Sequence, residues 1–289
     1  MKTLYISLFA IFLIACKMQP DAVRKLTHNN QVNPSGTVWL RDSIYMDECE
    51  VRNLDYLEYL HWTKKYDSVN YAAALPDTTV WHNEPFRNEE LKIIYLRHPG
   101  FRNCPVVGVS YDQAVAFCKW RTERVKGFIK KTGKENSKKY AIYKKIEYRL
   151  PTEEEWKCAA SAGLEDPSGW PGTVTITEIT TGYTDAYCPN EFGFISILDR
   201  HNLPKMWVKE SMILHGVGKQ LLIPVNSGSP NRYGFYNMIG NVAEMVAEKG
   251  ISKGGSVLNA LEECEIANRI TYDKSSRTLG FRCVCVIHQ

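Results

Sequence analysis

The stretch Tyr233-Gly-Phe-Tyr-Asn-Met-Ile-Gly-Asn-Val-Ala-Glu-Met245 carries an unusual set of oxygen-bearing groups. Asn237, Gly240, Val242 and Glu244 stand at offsets 0, +3, +5 and +7. The Gly-Asn pair interrupts a helical period, and the residues do not alternate as in a half-buried strand. Two side-chain oxygens and two backbone carbonyls form a ligand mixture that suits calcium. Spacing alone nevertheless favours a simple Gly-Asn turn with a solvated glutamate.

Two later segments extend this stretch. Gly254-Gly255-Ser256 follows shortly after it, and the segment Gly280-Phe-Arg-Cys-Val-Cys-Val-Ile287 alternates like a strand. A period of two places Cys283 and Cys285 on the same face of that strand.

The first half of the chain carries recognisable strand and helix signals. Short runs of β-branched and aromatic residues predict strands at Val38–Leu40 and Ser43–Met46. Apolar residues at helical spacing predict a helix over Leu54–Trp62, with Asn53 as its N-cap. Pro105–Ser110 is interpreted as a buried strand or bend.

Two capping boxes predict further helix starts. Ser110 with Gln113 precedes a helix over Ala114–Val125, and Thr152 with Glu155 begins another. The stretch from 163 to 231 has turn signals and no sustained helical period, so it is predicted to be loop-rich and to form functional surface.

The N-terminus has the features of an export signal. Leu4–Ala15 is an apolar run, too short to span a bilayer, which needs about 20 residues. The run ends in Leu-Ile-Ala-Cys16, which resembles the bacterial lipobox, so Cys16 is the predicted lipidation site. We predict a signal peptide over residues 1–15, a flexible tether over 16–36 and one folded domain over 37–289.

Charge and cysteine usage exclude several classes of protein. The formal net charge is only +4, and export removes nucleic acid as a natural partner. The sequence has nine cysteines, and in an oxidising compartment the ones besides Cys16 favour disulfides. A zinc site is not predicted, because no CxxC occurs and the histidines are scattered.

Six separate motifs occur in the order of the formylglycine-generating (sulfatase-modifying factor) family, which this sequence resembles over roughly residues 38–289. The motifs are Glu50–Asn53, Pro105–Ala114, Tyr148–Trp156, Tyr233–Met245, Gly254–Ser256 and Gly280–Cys283. The resemblance implies a single irregular, loop-rich α+β domain related to C-type lectins.

Within the family, the sequence is most similar to lipoproteins of gliding motility and type IX secretion in Bacteroidota. The stretches that carry this similarity lie outside the common motifs: Tyr59–Trp62, Ala74–Thr78, Val80–Trp81, Arg97–Pro99 and Cys118–Val125. The similarity implies a lipid-anchored protein of the outer membrane that faces the periplasm. Its implied partners are the bilayer, envelope proteins of the secretion or motility machinery, and peptidoglycan.

The resemblance also implies where catalytic chemistry would lie. Catalytic members of the family oxidise a substrate cysteine with copper held by two cysteines that follow Gly-Gly-Ser. The first of those positions is Asn259 here, and the second is Cys264. Cu(I) prefers soft thiolates, and an amide oxygen does not replace one. We therefore expect copper to be absent and Cys264 to be vestigial.

The calcium ligands and a disulfide carry over better. The family binds calcium with residues that match Asn237, Gly240, Val242 and Glu244, which reverses the preference for a simple turn. Cys118 and Cys283 match a pair that is bridged in the family.

Three functions follow as hypotheses. The first is a non-catalytic, calcium-stabilised envelope lipoprotein with a structural or interaction role. The second is a copper oxidase of substrate cysteines, like the formylglycine-generating enzyme. The third is a glycan- or peptidoglycan-binding module that uses Trp170 and Trp207.

Overall fold

The computed structural model describes residues 33–82, 89–134, 145–162, 222–227, 230–231, 233–259 and 261–288. The predicted signal peptide and Cys16, most of the tether, and both Trp170 and Trp207 lie outside these residues. Within the described part of the chain, no helix has the length and apolar character needed to cross a membrane.

The first sheet joins distant parts of the chain. Strands β1 (Thr37–Arg41) and β2 (Ile44–Asp47) form an antiparallel hairpin, as the aromatic and β-branched pattern predicts. Strand β8 (Val284–Ile287) lies between β2 and β3 (Ile146–Arg149), which gives the order β1-β2-β8-β3 with every pair antiparallel. The alternating segment that ends in Ile287 is therefore a central strand.

The second sheet is smaller and holds the stretch that opened the sequence analysis. Its order is β6 (Ile270–Thr271), β5 (Ile251–Lys253), β4 (Ala243–Met245) and β7 (Leu279–Gly280). Strand β4 pairs antiparallel with β5 and parallel with β7. This pairing fixes Glu244 opposite Lys253 on one side and opposite Gly280 on the other.

Five α-helices are found among the described residues. They are α1 (Asn53–Tyr66), α2 (Ser68–Ala74), α3 (Glu89–Ile94), α4 (Tyr111–Lys131) and α5 (Glu153–Ser161). Three short 3-10 turns accompany them at Thr78–His82, Pro99–Phe101 and Leu261–Cys264. The mixture of helices, small sheets and long irregular segments confirms the predicted α+β class.

Both predicted capping boxes are confirmed. At the start of α4, Ser110 Oγ accepts from Gln113 N–H, and Gln113 Oε1 accepts from Ser110 N–H at 2.8 Å. Thr152 and Glu155 repeat this arrangement at the start of α5.

The prediction of Asn53 as an N-cap is wrong. Arg52 occupies that position with an extended backbone, and its N–H donates to Asp55 Oδ2 at 3.1 Å. The Asn53 amide is buried instead and donates to the carbonyls of Tyr95 and Phe101, both at 3.0 Å. Its amide is thus used to hold the turn that follows α3.

An aromatic cluster packs α1 and α4 against the sheets. Tyr56 stacks on Phe117 with ring centroids 5.8 Å apart, and Phe281 meets Phe117 edge-on at 5.5 Å. Val106 and Val109 are fully buried beside them, so Pro105–Ser110 is a buried bend, with one isolated bridge from Pro105 to Arg52.

Candidate functional site

The Asn237–Glu244 stretch forms a tightly wound loop that leads into β4. Asn237, Gly240 and Asn241 have positive φ values of 48°, 80° and 58°. Asparagine and glycine are the residues that adopt this left-handed conformation at least cost, which explains their places in the sequence. All three are buried, so the loop lies inside the domain and is not a surface turn.

Glu244 lies in a buried ion pair. Arg282 donates from Nε to Oε2 at 2.6 Å and from Nη2 to Oε1 at 2.5 Å. The indole N–H of Trp156 donates to the same Oε2 at 2.8 Å. Glu244 is 1% exposed and Arg282 is fully buried. The solvated glutamate of the simpler sequence interpretation is therefore wrong.

A second buried carboxylate, Glu50, lies close enough to interact with the charge of Arg282. Its Oε1 accepts from Asn241 Nδ2 at 2.9 Å, and its Oε2 accepts from Asn237 Nδ2 at 3.2 Å. We call the ion pair, Trp156, Glu50 and the two asparagines bonded to it the Glu50–Arg282 network. Burial raises the pKa of Glu50 to about 7, although the nearby charge of Arg282 opposes that rise.

The predicted calcium ligands can be compared with a hard cation site. Asn237 Oδ1 is a buried acceptor that has no hydrogen-bond donor among the described residues, which is the condition a bound cation would relieve. Glu244 lies in β4, after this loop, and its charge is already balanced by Arg282. Asn237 Oδ1 is therefore free to bind calcium, whereas the Glu244 carboxylate already has Arg282 as its partner.

Within the described ranges, no group of three or more His, Cys, Asp and Glu side chains could hold a metal. Cation binding at the loop would rest on the mixture that the sequence analysis proposed, with side-chain oxygens from Asn237 and Glu244 and backbone carbonyls from Gly240 and Val242.

The two positions that match copper ligands have different environments. Asn259 Oδ1 accepts from the N–H and the Oγ of Ser256, at 3.0 and 2.7 Å. The side chain therefore closes the turn after Gly-Gly-Ser. Cys264 is fully buried, and a Cβ added at Gly255 would overlap its Sγ and lie 3.1 Å from its Cα. These residues do not provide a pair of thiolates for copper.

Cys118 and Cys283 are brought together as the resemblance implied. Their Sγ atoms lie 3.4 Å apart, and both thiols are buried and unbridged in this structure. Burial raises the pKa of Cys283 well above its ordinary value of 9. Cys285 is buried in the same cluster, as the period-two pattern predicted. The disulfide stays a prediction.

Four residues of the network escaped the sequence analysis as site residues: Glu50, Asn241, Arg282 and Trp156. Glu50, Arg282 and Trp156 stand in motifs that the family resemblance used, so their recurrence in those motifs was the available signal. Their partners lie 38 to 191 positions away along the chain, which no local pattern reveals.

Comparison with known proteins identifies the class. The model of the sulfatase-modifying factor enzyme 1-like domain family matches residues 16–287. The chain belongs to this family. The matched residues include both sheets, all five described helices and the Glu50–Arg282 network.

Among individual relatives, the formylglycine-generating enzyme of Mus musculus is 25% identical over 296 residues, covering 84% of this chain and 66% of that protein. The inactive C-alpha-formylglycine-generating enzyme 2 of Bos taurus is 29% identical over 198 residues, covering 62% and 49%. The formylglycine-generating enzyme of Thermomonospora curvata is 29% identical over 214 residues, covering 63% and 55%. The chain thus spans about half to two thirds of the length of these curated relatives.

Two solved structures are similar in outline. PvdO from Pseudomonas aeruginosa has a TM-score of 0.47 and 17% identity, covering 90% of this chain and 89% of that one. CarF has a TM-score of 0.45 and 19% identity, covering 85% and 87%.

Proposed function

We propose that this chain is a non-catalytic, calcium-stabilised lipoprotein of the bacterial cell envelope, with a structural or interaction role. One observation carries the non-catalytic part: the Asn259 amide occupies the first copper position and is bonded to Ser256. A hard amide oxygen that already accepts two hydrogen bonds is a poor substitute for a thiolate on Cu(I). Relatives named as inactive also occur in this family.

Calcium is proposed as a structural ion. The support is the unpaired, buried Oδ1 of Asn237 in a loop where Asn237, Gly240 and Asn241 have positive φ. Asn237 Oδ1 and the carbonyls of Gly240 and Val242 would hold the ion, which would supply positive charge beside Glu50 and brace the loop. Glu244 would either remain paired with Arg282 or exchange Arg282 for the ion.

The location and the partners rest on the N-terminal sequence and on the stretches outside the common motifs. The lipobox at Cys16 supports an anchor in the outer membrane with the domain in the periplasm. Tyr59–Trp62 and Cys118–Val125 support a place among the envelope proteins of gliding motility or type IX secretion. Peptidoglycan is a further candidate partner in that compartment.

A second candidate function is oxidation of substrate cysteines. It is favoured by Cys264, which remains fully buried beside the Gly-Gly-Ser turn. Copper titration of the reduced protein, followed by oxidation of a cysteine-containing peptide, decides between the two. We expect no stoichiometric copper and no product, with Cys264→Ala equal to wild type. Turnover that Cys264→Ala abolishes would establish the enzyme instead.

The envelope role has a separate test. Crosslinking in intact cells, followed by purification of the lipidated protein, should capture defined envelope proteins. Cys16→Ser, which removes the lipidation site, should release the protein from the membrane fraction and lose those partners. Recovery of the wild-type protein without any specific partner would contradict this role.

A further inference from the structure

Helices α1 and α4 lie side by side and run in the same direction. Tyr59 packs on Trp120 with ring centroids 5.4 Å apart, and about one turn further along both helices the guanidinium of Arg124 lies 3.5 Å from the centroid of the Trp62 ring. Because the contacts advance together along both helices, the two C-terminal ends lie on the same side of the domain. We call residues 63–69 and 126–134, which surround these two ends, the helix-end surface.

The helix-end surface carries an excess of positive charge. Its one acid is Asp67, and both oxygens of this carboxylate accept from Asn70 Nδ2. Against this acid stand six lysines, which give a formal charge of +5: Lys64, Lys65, Lys126, Lys130, Lys131 and Lys134. Lysines in a last turn complement the helix dipole, which accounts for four of them but not for Lys126 and Lys134. The nearest acid along α4, Glu123, lies outside this surface.

Apolar side chains are exposed among these lysines. Val69 is 90% exposed, Tyr66 is 64% exposed and Phe128 is 53% exposed. Lys65 Nζ lies 5.2 Å from the centroid of the Tyr66 ring, and Lys134 Nζ lies 5.6 Å from that of Phe128. Lysines interleaved with exposed apolar residues are typical of surfaces that lie on anionic membranes, where the ammonium groups meet phosphates and the rings enter the headgroup region.

The chain that leads from the predicted lipidation site enters the domain beside α4. The carbonyl oxygen of Ser35 accepts from Arg121 Nη2 at 3.5 Å. From Arg121 to Lys131, α4 continues for about 15 Å at 1.5 Å per residue. Ser35 follows Cys16 by 19 positions in the sequence. A lipid on Cys16 would therefore hold the helix-end surface near the bilayer and raise its effective concentration there.

We propose that the helix-end surface docks on anionic phospholipid, with its lysines on the lipid phosphates and with Tyr66 and Phe128 in the headgroup region. An acidic protein or wall polymer would neutralise the lysines but would offer no apolar layer to the exposed rings. The docking rests on the proposed lipid anchor, which makes a weak contact effective. Without the anchor, the contact is weak and is disrupted by salt, so high-salt washing would still release Cys16→Ser protein from membranes.

Co-sedimentation with vesicles measures this contact without the anchor. The sample is the mature chain, residues 16–289, with Cys16→Ser so that no lipid is attached. One set of vesicles contains equal parts of phosphatidylcholine and phosphatidylglycerol, and the other contains phosphatidylcholine alone. We expect binding to the mixed vesicles to be at least tenfold tighter and to be lost at high salt. Equal binding to the two sets would overturn the proposal.

Single variants separate the lysines from the rings. Lys130→Gln should weaken binding to the mixed vesicles about fivefold, as expected for one lysine at an anionic surface. Lys249→Gln is the matched control, because this exposed lysine pairs with Asp112 at the other end of α4, and it should bind as wild type. Phe128→Ala should also weaken vesicle binding about fivefold. It should leave binding to poly-glutamate unchanged, because that polymer has no apolar layer.

The outcomes for this surface and for the proposed anchor are separable. Equal vesicle binding by Lys130→Gln and Lys249→Gln would overturn the docking even if Cys16→Ser releases the protein from cell membranes. Wild-type vesicle binding by Phe128→Ala, with tight binding to poly-glutamate, would assign the lysines to an acidic polymer and overturn it as well. Retention of Cys16→Ser protein in membranes washed at high salt, with the vesicle results intact, would contradict only the anchor. Circular dichroism confirms that each variant folds.

Discussion

Arg282 donates to both carboxylate oxygens of Glu244, at 2.6 and 2.5 Å, with neither side chain exposed to solvent by more than 1%. This bidentate pair connects β4 to the segment before β8 and thereby links the two sheets. The same guanidinium donates to the carbonyls of Asp47 and Tyr236, so it also ties β2 to the loop before Asn237.

Removing one member of this pair should be strongly destabilising. Arg282→Met leaves Glu244 buried without its counter-charge, so we expect a loss of about 3–5 kcal/mol in the free energy of unfolding, measured with urea. Arg52→Met is the matched control, because Arg52 also pairs with a carboxylate but is partly exposed. The control should lose about 1 kcal/mol or less. Similar losses in both variants would contradict the importance assigned to burial.

Calcium should stabilise the folded protein. At a concentration of about 100 times Kd, one bound ion adds about 2.7 kcal/mol, seen as a higher melting temperature with calcium than with EDTA. Asn237→Gly should abolish this difference, because it removes Oδ1 and still accepts a φ of 48°. Asn70→Gly, on the exposed surface of α2, should retain it. An unchanged calcium effect in Asn237→Gly would exclude Asn237 as a ligand.

Gly255 should not tolerate a side chain. A Cβ at this position overlaps Sγ of Cys264, so Gly255→Ala should cost about 3 kcal/mol or more in the free energy of unfolding. Gly133 has nearly the same φ, 65° against 66°, and no atom within 4 Å of its added Cβ. Gly133→Ala should therefore cost only about 1–2 kcal/mol for the backbone conformation. Equal costs would show that the positive φ, and not the close approach of Cys264, makes glycine necessary at position 255.

Cys118 and Cys283 should form a disulfide under oxidising conditions. Cys118→Ala should then lower stability by about 2–5 kcal/mol relative to the oxidised wild type, and the difference should shrink after reduction. Cys158→Ala, at a half-buried thiol on α5, is the control and should show no such redox dependence. Non-reducing peptide mapping identifies the bond, and a Cys118–Cys285 or Cys283–Cys285 product would contradict the pairing.

The free energy of unfolding should fall in acid because Glu153 becomes protonated. The hydrogen bond from Arg269 lowers the pKa of Glu153 to about 2, from an ordinary 4.5. Because the folded-state pKa is depressed, this stability is present above pH 4.5 and is lost as the pH falls towards 2. Arg269 is exposed, so screening limits the effect to about 1–2 kcal/mol. Glu153→Gln should flatten the profile in that window, whereas Glu154→Gln, which is exposed, should not.

Local chemistry explains the parts of the fold that the sequence predicted. The boxes at Ser110 and Thr152 need only residues three positions apart, so a short window contains the whole interaction. Strands β1 and β2 likewise follow from short runs of β-branched and aromatic residues. The prediction for Asn53 failed because its side chain can cap a helix or, as here, hydrogen-bond to a distant turn. Only the packing of the whole domain decides between these two uses.

The site was harder to predict from the sequence, because its hydrogen bonds join residues that are far apart along the chain. The resemblance singled out the oxygens of Asn237 and Glu244 as candidate ligands, but the hydrogen-bond partners of these two side chains could not be predicted. Glu50 meets Asn237 across 187 positions, and Arg282 meets Glu244 across 38. The stacking of Tyr56 of α1 on Phe117 of α4 likewise depends on how two helices pack, which neither helix specifies alone.

The central place of β8 has a consequence for the timing of folding. Asp47 and Cys283 are bonded partners 236 positions apart, so β2 has no neighbour on that side until almost all of the intervening chain exists. At about 5–20 residues per second, synthesis alone imposes a wait of roughly 10–50 s. During that interval the apolar side chains of Tyr45 and Met46, fully buried in the finished domain, are available to chaperones and to other nascent chains.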